Sequence, residues 1–68
     1  MPSSVIASFH YDEELAQLIV TFMTGRVYCY YMVPADCVAA FNAAFSKGAF
    51  FNKHIRDRFP CREVTSAA

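Results

Sequence analysis

Sixty-eight residues with six Lys and Arg against six Asp and Glu, 56% hydrophobic and 18% charged, make one small domain, because a second core needs roughly 100 more residues. The apolar content excludes a disordered chain. Zero formal net charge excludes the strong, sequence-independent grip on nucleic acid or anionic membrane that excess Lys and Arg provide.

Residues 5–11 are rich in β-branched and aromatic side chains and end at the polar turn Asp12-Glu13-Glu14, which predicts a first strand. In residues 15–22 (LAQLIVTF), Leu18, Val20 and Phe22 alternate with Gln17, Ile19 and Thr21, the signature of a half-buried second strand. Gly25 punctuates, and residues 26–33 (RVYCYYMV) read as a third strand. Connections this short build an up-down-up antiparallel meander.

The hairpin around Gly25 has two registers. A two-residue Thr24-Gly25 loop needs φ > 0 at both positions, which a β-branched Thr resists. A three-residue loop of Met23, Thr24 and Gly25 needs it only at Gly25, in a type I turn with a G1 bulge. The three-residue loop is favoured; it pairs Phe22 with Arg26, Val20 with Tyr28 and Leu18 with Tyr30, and turns both tyrosines to the core face. A one-residue slip would turn them away.

Pro34 is pre-shaped for a first helical turn, and Asp36 complements the helix dipole. Residues 35–45 read as a helix with Val38, Phe41 and Phe45 on one stripe. Ser46-Lys47-Gly48 breaks the pattern; Ser46 caps a second helix over 49–59, where Phe51, Ile55 and Phe59 recur every four residues until Pro60 stops it. The expected fold is α+β: a three-stranded antiparallel meander followed by two helices packed on one sheet face, in the order β-β-β-α-α. Residues 3–60 form the domain and 61–68 a short, partly disordered tail.

No apolar run approaches the roughly 20 residues that a bilayer demands, and the N-terminus lacks the basic and apolar regions of a signal peptide. A cytoplasmic protein without membrane partners is expected. Cys29, Cys37 and Cys61, at spacings of 8 and 24, match no zinc or redox pattern and read as free thiols, the first two buried.

Catalysis finds little support. There is no Gly-rich phosphate loop, zinc motif or nucleophile elbow. His10 falls on the solvent face of the first strand and His54 on a helix margin, each without a tuning carboxylate. Asp12, Glu13 and Glu14 read as a solvated turn. His54 and Cys61 make a poor metal pair. No catalytic residue, metal or cofactor is predicted.

Charge is unevenly placed. Residues 1–34 carry net −2 and residues 35–68 net +2, with Lys53, Arg56, Arg58 and Arg62 close together. A helix would pair Lys53 with Asp57 at i+4 and put Asn52 and Arg56 one turn apart on the flank of the core stripe. Arg56, Arg58 and Arg62 are then candidates for phosphate or carboxylate contact, an ordinary solvated face being the alternative. Of the eleven Phe and Tyr residues, Phe22, Phe41, Phe45, Phe51 and Phe59 fall to the core by periodicity. Tyr28 and Tyr30 are core with their hydroxyls at the rim, and Tyr11, Tyr31 and Phe50 are left nearer the surface.

Tyr28-Cys29-Tyr30 in a third strand, then Val33-Pro34, Ala44-Phe45-Ser46-Lys47-Gly48, Phe51-Asn52 and Ile55-Arg56, form an ordered set that resembles the KTSC domain family. The set extends back through Gly25, Phe22, Val20, Leu18 and Tyr11-Asp12 to Ile6 and Ser4. The Ala-rich run 39–44 departs from the pattern and bears on helix packing. The family takes its name from the C-terminus of some lysyl-tRNA synthetases and also occurs as small bacterial proteins. The resemblance implies no catalytic residue and no cofactor, and the synthetase setting implies RNA as a candidate ligand.

The reading is a small non-catalytic binding module for RNA or tRNA, of weak affinity. Lys53, Arg56, Arg58 and Arg62 would contact phosphate, Asn52 a base edge or sugar, and Tyr31 would stack. The Ser46-Lys47-Gly48 turn offers amides to an anion. The alternative is a protein-interaction module that uses its sheet face or an edge strand for a partner or a second copy.

Overall fold

The computed structural model describes residues 6–64. Expectations for residues 3–5 and 65–68 lie outside the described residues. Strands β1 (Ile6–Asp12), β2 (Gln17–Phe22) and β3 (Val27–Tyr30) form the expected meander, and helix α1 (Ala35–Ala43) follows. A second helix begins as one α-turn, α2 (Lys47–Phe50), and widens into a π-helical turn over Phe51–Ile55.

The three-stranded expectation is corrected by a fourth strand. The residues just after Pro60, expected as the start of a tail, form β4 (Cys61–Val64), antiparallel to β3, giving a sheet in the order β1-β2-β3-β4. The Tyr31 amide donates to the Pro60 carbonyl at 2.8 Å and extends that pairing by one bond. All four residues of β4 are exposed, so the strand carries no core-face periodicity that a sequence reading could find.

The β2–β3 register is the one expected. Leu18 pairs with Tyr30 and Val20 with Tyr28; the Phe22 amide donates to Arg26 and the Gly25 amide to Phe22. Gly25 alone in this turn has φ > 0, at 96°, the conformation that Gly adopts without steric cost. In antiparallel pairing, residues directly opposite share a face. Phe9, Tyr11, Leu18, Val20, Phe22, Tyr28, Tyr30, Cys61 and Glu63 therefore lie on the inner face, and Ser8, His10, Gln17, Ile19, Thr21, Val27, Cys29, Arg62 and Val64 on the outer.

Both helical segments cover the inner face. Leu18, Val20, Tyr30 and Val33 close on Phe41 from α1 and on Phe51 and Ile55 from the π-turn. Phe9 meets Phe41 at 4.4 Å between ring centroids, and Phe41 meets Phe50 at 5.7 Å, joining the two helices. Phe50 and Tyr11, expected nearer the surface, pack against this core instead. The Tyr11 hydroxyl donates to the Val33 carbonyl at 2.7 Å.

Two helix boundaries differ from expectation. α1 stops at Ala43 because Ala44 turns to an extended backbone (ψ 138°), so Phe45 leaves the stripe it was assigned to and stands fully exposed. The second helix ends at Ile55, since Arg56 is extended and Asp57 is left-handed at φ 63°. Phe59 reaches the core from the following turn, half-buried. Ser46 caps as expected, its Oγ accepting from the Ala49 amide. No helix among the described residues is long and apolar enough to cross a membrane.

Candidate functional site

The inner face is not covered along its whole length. Where the β2–β3 turn faces the π-turn, a groove of about 580 Å³ remains. Its floor is aromatic: Phe22 and Tyr28 are half-buried, while Tyr30 and Phe51 are 5% and 3% exposed. Phe22 stands edge-on to Tyr28 (5.6 Å, 82°) and to Phe51 (5.3 Å, 75°), and Tyr30 edge-on to Phe51 (5.4 Å, 83°), the arrangement that aromatic quadrupoles favour. Met23, Thr24 and Arg26 form one rim; Asn52, Arg56 and Asp57 form the other, and Cys61 of β4 closes an end.

The π-turn shapes the second rim. The Arg56 amide donates to the Phe51 carbonyl at 2.8 Å, a five-residue closure that widens the helix by one residue, a feature frequent at functional sites. Phe51 and Ile55 stay buried while Asn52 and Arg56 remain exposed on the groove side. An Arg56 guanidinium nitrogen donates to Asn52 Oδ1 at 3.3 Å, so the amide orients the guanidinium.

Among the described residues the one ion pair is Arg26 with Glu63, 3.8 Å apart and largely exposed, a pair worth little to stability. It partly neutralises the Arg26 rim, whereas Arg56 has no carboxylate within ion-pairing distance among the described residues. Arg56 is therefore the open cation of the groove. Burial pushes the Tyr30 hydroxyl up to about 12, the neighbouring Cys61 and Tyr28 act in the same direction, and the Arg56 charge opposes them. Tyr30 is thus a neutral hydrogen-bonding group at physiological pH. Burial also raises the Cys37 thiol, which lies away from the groove lining.

Of the residues singled out by sequence, the structure brings Asn52 and Arg56 together. Lys53 and Arg58 are exposed but do not line the groove, and Arg62 lies on the outer sheet face opposite Cys29. Tyr31, half-buried at the end of β3, is also outside the lining. The expected pairing of Lys53 with Asp57 is absent because the helix ends between them. In the turn before α2, Ser46 Oγ takes the Ala49 amide, the Ser46 carbonyl takes the Phe50 amide, and the Lys47 ammonium folds back onto the Ala44 carbonyl at 2.8 Å. Arg26, Thr24 and Tyr28 are groove residues that the basic-cluster argument missed. The favoured hairpin register, which puts Arg26 opposite Phe22 and on the face of Tyr28, contained the signal.

Three comparisons bear on this arrangement. A Yersinia pestis KTSC domain protein of known crystal structure superposes with a TM-score of 0.89 at 35% identity, covering 96% of this chain and 92% of that one. A lysine–tRNA ligase of Nostoc punctiforme is 36% identical over 62 residues, 91% of this chain but 11% of the ligase, so the chain matches one short region of that enzyme. The KTSC domain model matches residues 2–59. The chain belongs to the KTSC domain family.

Proposed function

We propose that this domain is an RNA-binding module and that the groove between the β2–β3 turn and the π-turn is its contact surface. The observation that carries the reading is Arg56: a guanidinium oriented by Asn52, without an ion-pair partner among the described residues, at the rim of an aromatic floor. Guanidinium forks recognise phosphate, and half-exposed rings give bases a surface to stack on. The likeness to a region of a tRNA ligase supports RNA as the ligand class. Lys53 in the π-turn and Arg58 just after it, both exposed, add long-range attraction.

One arginine–phosphate contact releases few counterions, so the log–log salt slope for single-stranded RNA is about −1. Titrating fluorescent tRNA and a mixed-sequence RNA at about 50 and 200 mM salt measures it. Arg56→Ala is expected to weaken binding about tenfold or more and to leave the melting temperature unchanged, since the side chain is exposed. Binding that Arg56→Ala leaves intact would remove the groove from consideration.

A second reading rests on the outer sheet face, which neither described helix covers and which carries Ile19, Val27 and Val64. A protein partner or second copy on that face, or on edge strand β4, would be indifferent to Arg56→Ala.

A further inference from the structure

We infer that the groove accepts one unpaired nucleotide, its base against Tyr28 and its phosphate on Arg56, so that the domain selects single-stranded over base-paired RNA. This rests on the RNA reading of the same groove and specifies what part of an RNA enters it.

The floor decides the geometry. Tyr30 and Phe51 have almost no surface left, so only Phe22 and Tyr28 can meet a base. Their planes stand at 82°, which makes a corner and not a platform. A flat base laid on one ring turns its own edge toward the other ring, and a second base has no ring to continue the stack. The volume, about 580 Å³, falls within the roughly 300–1,000 Å³ typical of sites for a single small ligand.

The rim fits the rest of a nucleotide. Arg26 and Tyr28 project from the same face of adjoining positions along the strand, about 7 Å apart, and Arg56 approaches from the opposite wall. Asn52 Oδ1 is engaged by Arg56, which leaves the Asn52 NH₂ as a donor toward acceptor atoms of a base or sugar. Glu63 pairs with Arg26 and sits across from Tyr28, and Asp57 lies on the other rim. These carboxylates oppose a continuous array of phosphates, so charge favours a single phosphate on Arg56. A duplex offers the opposite chemistry: two phosphate rows outside, with base faces stacked and unavailable.

The test uses the intact chain with a labelled RNA of about eight nucleotides, free or annealed to its complement. Single-stranded RNA is expected to bind at least tenfold tighter than the duplex. Tyr28→Leu keeps apolar bulk but loses the stacking face and is expected to cost about five- to tenfold in single-strand binding, while Tyr28→Phe retains it; melting curves verify that each variant is folded. Equal or tighter binding of duplex, or unchanged binding by folded Tyr28→Leu, would overturn the inference and leave the RNA reading standing if Arg56→Ala still abolishes binding. Failure to bind either RNA at low salt would sink both.

Discussion

The inner sheet face has two ends that the chain treats differently. At one, Phe9, Phe41 and Phe50 interlock beneath α1, and Phe41, Val33 and Leu18 are completely excluded from solvent. At the other, Phe22 and Tyr28 keep part of their ring surface open between Arg26 and Arg56. Both ends are aromatic; what separates them is the helical geometry above. α1 lies over its half as a regular helix, whereas the second helix widens at Phe51–Ile55 and then stops. Aromatic content alone therefore does not distinguish core from site. The lid does.

That contrast can be broken from the closed end. Phe41→Ala removes a fully buried ring touching Phe9 and Phe50 and is expected to cost about 3–5 kcal/mol, most of the stability of a domain this small; loss of a cooperative thermal transition would show it. A smaller effect comes from the turn that carries one rim. Gly25→Ala meets no atom within 4 Å, so only its φ of 96° opposes it, at about 1–2 kcal/mol. Chemical denaturation would read this as a shifted midpoint with unchanged slope.

The smallest effect at neutral pH lies where the two ends meet, at Tyr30. Its hydroxyl is raised from 10.0 to about 12 by burial, so the folded protein holds that proton more tightly than the unfolded chain does. The associated stability is complete below the unfolded value, near pH 10, and is lost as pH rises toward about 12. Tyr30→Phe should flatten the decline in melting temperature across that alkaline window.

Much of the fold was legible because local chemistry specified it. Gly25 between alternating apolar runs selected one loop and so one register, and Ser46 announced a cap. The failures share a cause. Phe45 and Phe59 continue a four-residue apolar spacing past the points where Ala44 and Arg56 turn extended, and nothing in those residue types forbids another helical turn. β4 was invisible because an exposed edge strand has no apolar alternation to display. For the site, Asn52 and Arg56 stood out as polar neighbours beside a core stripe. Arg26 did not, since its place in the groove depends on the hairpin folding back toward a helix some thirty residues later.

Strand β4 has one more consequence. It supplies an end wall of the groove through Cys61, yet it contributes no buried side chain, and its pairing with β3 closes a long stretch of chain. Detaching it would forfeit backbone hydrogen bonds but no buried side chain of its own, the profile of an element that opens before the core does. Release of that one strand would open the groove at the Cys61 wall and leave the Phe9–Phe41–Phe50 cluster in place, so the wall and the core are held by different parts of the chain.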